Sequence, residues 1–158
     1  MTTPLRIALA QLNLVVGDVP GNKDRLIAAI EQAKTEHAAD LVVFQELALC
    51  GYPPEDLLFH SGMKHRVAAA IEALKAATDG IAILVGYPEY TNGRIYNSAI
   101  WLEGGEVRGN YRKRCLPNYG VFDERRYFTA GEDALVVTLK GQPIGITICE
   151  DIWESADA

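Results

Sequence analysis

A short run of β-branched apolar residues ends at a thiol in the stretch 142–153, Q-P-I-G-I-T-I-C-E-D-I-W. Residues 144–148 predict a strand that is buried on both faces, and Cys149 follows this strand directly. The carboxyl end of a buried strand is where open α/β sheets place their chemistry, so Cys149 is a candidate nucleophile. Free cysteines also pack commonly as small apolar side chains, and this stretch alone leaves both interpretations open.

The two acids that follow the thiol, Glu150 and Asp151, disfavour a thiolate. A nucleophile at this position therefore needs a base and a cation from elsewhere in the chain. Glu46 closes the apolar run L-V-V-F, where desolvation would raise the pKa of its carboxyl group toward a value useful for a general base. The alternative is an ordinary acid at a strand end, paired with a surface arginine.

Lys113 closes a second apolar strand, predicted over residues 107–113. Because side chains alternate along a strand, Lys113 shares a face with Tyr111, while Arg112 and Arg114 lie on the other face. The alternative for Lys113 is a solvated basic sheet edge, which discourages aggregation. Three chemically complementary residues that each end an apolar strand favour a common site.

Composition narrows the class of protein. A chain of 158 residues with 49% hydrophobic content is the size of one ordinary globular domain. Its net charge of −6 argues against a nucleic-acid or membrane-surface binder. Three cysteines without C-x-x-C spacing indicate reduced thiols in a cytoplasmic protein, rather than a disulfide framework or a zinc site. Neither a signal peptide nor an apolar run of membrane-spanning length is expected.

The predicted order of elements is strand, helix, strand, helix, strand, followed by two hairpins. The strands are predicted at 5–12, 41–44, 81–85, 95–102, 107–113, 134–139 and 144–149, and the helices at 22–37, 55–58 and 63–78. Asn22 is predicted to be the N-cap of the first helix, and Gly86-Tyr87-Pro88 is predicted to close the third strand. This order predicts an α/β fold whose sheet is part parallel and part antiparallel. Because only nine residues follow Cys149, we expect residues 1–158 to be part of a larger unit.

Three segments resemble the signature segments of the nitrilase-type carbon–nitrogen hydrolases. They are L-V-V-F-Q-E-L-A-L-C-G-Y-P-P-E-D-L-L, Y-R-K-R-C-L-P-N-Y-G-V-F-D-E-R-R-Y-F and I-G-I-T-I-C-E-D-I-W. More narrowly, G-Y-P-P-E-D-L-L, L-P-N-Y-G-V-F-D-E and C-E-D-I-W resemble the glutamine-hydrolysing domains of glutamine-dependent NAD synthetases. The resemblance extends over nearly the whole chain.

This resemblance implies a nitrilase-like α-β-β-α sandwich, truncated after the strand that carries the nucleophile, with residues 1–158 as the N-terminal portion of the hydrolase domain. It implies that Glu46 is the general base, Lys113 the cation that stabilises the transition state, and Cys149 the nucleophile. By the same resemblance, Tyr119 and Glu124 are substrate-binding residues. Tyr119 matches a tyrosine that contacts bound glutamine, and Glu124 matches a second carboxylate beside the catalytic lysine. No metal is implied.

The function implied is hydrolysis of the glutamine side-chain amide. The ammonia would serve the ATP-dependent amidation of nicotinate adenine dinucleotide in NAD biosynthesis. The implied partners are L-glutamine and a synthetase domain of the same protein that uses ATP and Mg²⁺, in a homo-oligomeric full-length protein. The S-G-G-x-D-S phosphate loop of such a domain does not occur in this sequence. The alternatives are a stand-alone nitrilase-type amidase and a non-catalytic fragment that acts only by association.

Three positions near the implied site residues depart from the family pattern. Gln45 stands where many relatives have proline, Cys50 where threonine is usual, and Cys115 where histidine is common. These positions flank Glu46 and Lys113, so we expect them to affect substrate preference rather than the Glu–Lys–Cys set itself.

Overall fold

The structure is a computed structural model, and it describes residues 4–153. In chain order the strands are β1 (Ile7–Ala10), β2 (Leu41–Phe44), β3 (Ala82–Thr91), β4 (Arg94–Glu103), β5 (Glu106–Arg112), β6 (Leu135–Leu139) and β7 (Gln142–Ile146). The α-helices are α1 (Val19–Thr35), α2 (Ser61–Ala76) and the single turn α3 (Glu124–Tyr127), and short 3-10 helices cover Glu55–Phe59 and Cys149–Ile152.

The main sheet has five strands in the order β1-β2-β3-β4-β5. β1, β2 and β3 are parallel to one another, while β4 and β5 add as antiparallel neighbours. The predicted mixture of parallel and antiparallel pairing is therefore confirmed. β6 and β7 form a separate antiparallel hairpin.

The two faces of the main sheet are covered differently. Helices α1 and α2 pack on one face through a large apolar core that includes Leu26, Val67 and Leu74. On the other face, a second apolar cluster joins the main sheet to the β6–β7 hairpin, and it contains Leu41, Ala82, Ala99, Trp101, Tyr111, Val137, Leu139, Ile146 and Ile148. The result is a helix layer, a five-stranded main sheet and a two-stranded second sheet.

Helix α1 begins earlier than predicted, because Asp18 rather than Asn22 is its N-cap. The Asp18 carboxylate accepts a hydrogen bond from the Gly21 amide at 3.0 Å, and Pro20 lies in the first turn, where its absent N–H costs nothing. Asn22 is instead fully buried, and its side-chain amide binds the backbone of Val15 and Leu49. The prediction for Asn22 was wrong because its side chain fixes the preceding loop to the core.

Two strand predictions also need correction. β3 does not stop at Gly86-Tyr87-Pro88 but continues to Thr91, paired with β4. β7 ends at Ile146, so Cys149 lies in the 3-10 helix beyond it. The segment around β7 is buried on one face only, since Ile146 and Ile148 are buried while Gly145 and Thr147 are exposed. The reason is that the hairpin packs on the main sheet with one face alone.

Within residues 4–153, no helix combines the length and the apolar character that crossing a bilayer requires.

Candidate active site

Lys113 follows β5 directly and is almost completely buried, with 1% of its surface exposed. Its ammonium group donates to Glu46 Oε1 at 2.7 Å and to Glu124 Oε1 at 3.0 Å. The fold therefore brings together three of the residues singled out from the sequence. The predicted alternation holds as well, because Tyr111 and Lys113 are buried while Arg114 is exposed.

Each carboxylate oxygen that binds Lys113 also accepts a hydrogen bond from a neutral donor. Asn97 Nδ2 donates to Glu46 Oε1 at 2.7 Å, and the Tyr52 hydroxyl donates to Glu124 Oε1 at 2.9 Å. Sequence reasoning missed both of these donors. The available signal for Asn97 was a polar residue inside the apolar strand I-Y-N-S-A-I-W-L, and the signal for Tyr52 was its place in the rigid turn G-Y-P-P.

A tight turn after β2 places Glu46. The next residue, Leu47, has a left-handed backbone with a φ of 50°. Gly86 of β3 lies against this turn so closely that a Cβ atom built on it would be 2.4 Å from the Leu47 nitrogen and 2.5 Å from the Gln45 carbonyl oxygen. A glycine inside a strand commonly marks such a close backbone approach, and here only glycine leaves room for the turn that carries Glu46.

Cys149 opens the 3-10 helix beyond β7, is exposed, and has a φ of 46°. A left-handed backbone at a residue other than glycine is strained, and it persists only where the surroundings hold it in place. Residues like this are concentrated at functional sites, which supports the prediction that Cys149 belongs to one.

Asp151 supplies the contacts that hold this strained turn. Its Oδ1 accepts from the backbone N–H groups of Arg114 at 3.0 Å and Cys115 at 2.8 Å. Its Oδ2 accepts from the Tyr111 hydroxyl at 2.7 Å and from the Ile148 N–H at 3.0 Å. One carboxylate therefore fastens the turn of the thiol to the segment that carries Lys113. From the sequence, Asp151 appears only as a charge that opposes a thiolate.

Charge and burial shift the pKa values of Cys149, Lys113 and Glu124 in different directions. Although Cys149 is exposed as a residue, partial desolvation raises the pKa of its thiol; the Glu46 carboxylate raises it further, and Lys113 lowers it. Burial alone would lower the pKa of Lys113, but its bonds to Glu46 and Glu124 hold that pKa above the ordinary value. Burial raises the pKa of Glu124. These directions favour the charged form of Lys113 and the protonated form of the Cys149 thiol, so a nucleophilic role for this thiol would require a base.

Tyr119 contacts the turn that carries Cys149. Its hydroxyl donates to both carboxylate oxygens of Glu150, with distances of 3.0 Å. Tyr119 and Glu150 line a cavity of about 970 Å³ together with Arg114 and Arg125. The structure thus links Tyr119 to the Cys149 turn through Glu150. Across residues 4–153, no group of three or more His, Cys, Asp or Glu side chains is arranged to hold a metal ion.

The fold and this site define a class: a layered α/β protein with a buried lysine between two glutamates and a cysteine on a strained turn nearby. Residues 6–155 match the carbon-nitrogen hydrolase family over nearly the whole chain. The chain belongs to this family, as the sequence resemblance predicted.

Among curated proteins, the chain is similar to the glutamine-dependent NAD(+) synthetase of Xylella fastidiosa (strain Temecula1 / ATCC 700964). The two are 52% identical over 157 residues, which is 98% of this chain and 29% of that protein. The glutamine-dependent NAD(+) synthetase of Thermotoga maritima is 43% identical over 155 residues, 97% of this chain and 27% of that protein. The chain therefore spans less than a third of the length of these relatives.

Two solved structures show the same fold. A glutamine-dependent NAD+ synthetase from Acinetobacter baumannii, in complex with ADP, superposes with a TM-score of 0.91 at 41% identity, over 94% of this chain and 28% of that chain. A mutant of the Nesterenkonia AN1 amidase, from the nitrilase superfamily, superposes with a TM-score of 0.85 at 27% identity, over 98% of this chain and 59% of that chain. These likenesses confirm the predicted nitrilase-like α/β fold.

Proposed function

We propose that this chain carries the glutamine-hydrolysing centre of a glutamine-dependent NAD synthetase. The observation that carries the proposal is the buried Lys113 held between Glu46 and Glu124, close enough to the Cys149 thiol for all three charges to act on its pKa. The 52% identity to a protein named for this activity supports glutamine as the substrate.

In the proposed mechanism Glu46 takes the Cys149 proton and the sulfur attacks the side-chain amide carbon of glutamine. Lys113 has three N–H donors, of which two bind the carboxylates, so the third is available to the developing oxyanion. The backbone N–H that follows Cys149 would be a second oxyanion donor. Glu46 then passes the proton to the departing ammonia, and water activated by Glu46 cleaves the thioester to release glutamate and the free thiol.

Two further residues take substrate-binding roles in this proposal. Glu124 Oε2 is buried and has no hydrogen-bond partner among the described residues, so it is available to accept from the amide N–H₂ group of glutamine. Tyr119 borders the cavity beside the nucleophile turn and would contact the amino-acid portion of the substrate.

The remaining parts of the proposal lie outside this chain. Residues 1–158 would be the N-terminal portion of the glutaminase domain, and ATP and Mg²⁺ would act only in the synthetase domain of the same protein. That domain would use the ammonia to amidate adenylated nicotinate dinucleotide in the cytoplasm. We propose a homo-oligomer for the full-length form. The small share of each synthetase relative that this chain spans supports the assignment of residues 1–158 to an N-terminal portion, and it does not bear on the oligomer.

A stand-alone amidase is the second candidate. It is favoured by the likeness to the Nesterenkonia amidase, one mutant of which shows covalent addition of the acetamide moiety of fluoroacetamide at its active site cysteine. Both functions would use the same thiol chemistry. The higher identity to the synthetases, together with the segment G-Y-P-P-E-D-L-L, ranks the amidase second.

The test compares NAD formation from glutamine and from ammonia in the full-length gene product. We expect Cys149→Ala to abolish glutamine-dependent synthesis and to leave ammonia-dependent synthesis nearly intact, because the thiol serves only amide hydrolysis. Cys115→Ala is the matched thiol control: it should leave ammonia-dependent synthesis intact and retain glutamine-dependent turnover, with any effect confined to substrate preference. Hydrolysis of simple amides without any ATP-dependent NAD formation would instead establish the amidase.

A further inference from the structure

Asn97 contacts both the proposed base and the proposed cation. It lies near the start of β4 with 1% of its surface exposed. Its side-chain Nδ2 donates to Glu46 Oε1 at 2.7 Å, and its backbone carbonyl oxygen accepts from the backbone N–H of Lys113 at 2.8 Å. A single residue therefore ties the Glu46 side chain to the backbone of Lys113.

The hydrogen-bond chemistry fixes which way the amide points. The ionised Glu46 carboxylate can only accept, so the N–H₂ group of Asn97 must face it. Asn97 Oδ1 is buried and has no partner among the described residues, so the bond to Glu46 is the contact that orients the side chain. Burying an amide oxygen without a hydrogen bond costs free energy. The hydrogen bond from Asn97 Nδ2 to Glu46 must therefore stabilise this orientation enough to offset that cost.

The same bond distinguishes the two oxygens of Glu46. Oε1 accepts from both Lys113 Nζ and Asn97 Nδ2, each at 2.7 Å. The terminal torsion of a glutamate is broad, so with the lysine alone the plane of the carboxylate could turn about it. With two donors converging on one oxygen, such a turn weakens both bonds, so the plane and the direction of the second oxygen are fixed.

We propose that Asn97 is a positioning residue that holds Glu46 Oε1 on Lys113 and so presents Oε2 to Cys149 as the basic oxygen. This inference rests on the proposed amide hydrolysis. In the first step the S–H bond of Cys149 breaks and the proton moves to Oε2. The electron pair left on sulfur forms the C–S bond, and the C=O π pair moves to the carbonyl oxygen. When that pair returns, the C–N bond breaks, and the amide nitrogen takes the proton from Oε2 and leaves as ammonia.

The experiment measures the pH profile of kcat/KM for glutamine in the full-length protein with Asn97→Ala and Asn97→Asp. For Asn97→Ala we expect a fall of about 10- to 100-fold, the loss of one hydrogen bond to a charged group. The acid limb should move to higher pH, because the carboxylate loses a donor that favours its charged form. Asn97→Asp should move the acid limb further in the same direction, because a second carboxylate beside Glu46 disfavours its charged form more than the loss of a donor does.

Ser98→Ala is the matched control. Ser98 is the next residue on β4 and is equally buried, but its hydroxyl binds Glu89 at 2.9 Å instead of the Lys113 cluster. This variant should retain the wild-type profile. Ammonia-dependent NAD formation should stay unchanged in all three variants.

The outcomes separate the two proposals. Wild-type kcat/KM and pH profiles in both Asn97 variants would overturn the positioning role. So would an equal loss of glutamine- and ammonia-dependent activity, or failure of both variants to fold, because Asn97 would then be only structural. If the wild-type protein hydrolyses no glutamine, the proposed function itself falls, and this inference falls with it.

Discussion

Replacing Gly86 with alanine tests how closely the site depends on backbone packing far along the sequence from the thiol. The added Cβ would lie 2.4 Å from the Leu47 nitrogen and 2.5 Å from the Gln45 carbonyl oxygen, both backbone atoms that cannot rotate away. Ordinary contacts begin near 3.4 Å, so the turn that carries Glu46 must move by about 1 Å. Catalytic groups need placement within about 0.5 Å.

A displacement of this size is expected to lower kcat/KM for glutamine hydrolysis by about 100-fold. Overpacking should also lower the free energy of unfolding by about 1–3 kcal/mol. The assay is glutamate release by the full-length protein, with ammonia-dependent NAD formation and thermal unfolding measured in parallel. The matched control is Gly145→Ala in β7, where a Cβ would meet nothing within 4 Å. Wild-type glutamine hydrolysis in Gly86→Ala would show that the position of Glu46 does not depend on this close approach.

Three further outcomes are expected. Asp151→Asn replaces one acceptor oxygen by a donor, so it should lower the free energy of unfolding by about 2–4 kcal/mol in denaturant titrations. The rate of glutamine hydrolysis should fall as well. A loss of stability below about 1 kcal/mol would contradict the role of Asp151 in holding the turn. Because the pKa of the Cys149 thiol is raised, less thiolate exists at a given pH, so iodoacetamide should react with it more slowly at pH about 8 than with the same cysteine in denatured protein. A faster reaction in the folded protein would contradict this direction. Residues 1–158 alone should self-associate and hydrolyse glutamine poorly, because Leu9 and Val136 are 76% and 63% exposed; a monomer in sedimentation with turnover near that of the intact protein would show otherwise.

The meeting of Glu46 and Lys113 was predictable from strand ends. β2 and β3 are parallel, and the pairs β3–β4 and β4–β5 are both antiparallel, so β5 runs parallel to β2. The carboxyl ends of β2 and β5 therefore reach the same edge of the sheet. Asn97 was missed because β4 runs the other way and brings its start, not its end, to that edge. A search limited to strand ends cannot find such a residue without the pairing order.

The end of β3 was predicted wrongly because glycine and proline usually interrupt strands. β2 pairs with β3 only as far as Leu84, so among the described residues the stretch from Gly86 onward has a turn but no partner strand on that side. Pro88 is tolerated there, since β4 is its only partner strand and no second ladder needs its N–H. Gly86 is required by the Glu46 turn, a contact between segments 40 residues apart that local sequence patterns do not contain.

Covalent labelling can show directly whether Cys149 is the nucleophile of a glutamine-hydrolysing centre. The full-length protein is treated with an electrophile that mimics glutamine, with and without excess glutamine, and the modified peptide is mapped. We expect the label on Cys149 alone and protection by glutamine. Cys50 should not react, because it is buried and burial raises the pKa of its thiol to about 12. A label on Cys50 or Cys115 in the folded protein, with Cys149 unmodified, would show that Cys149 is not the nucleophile.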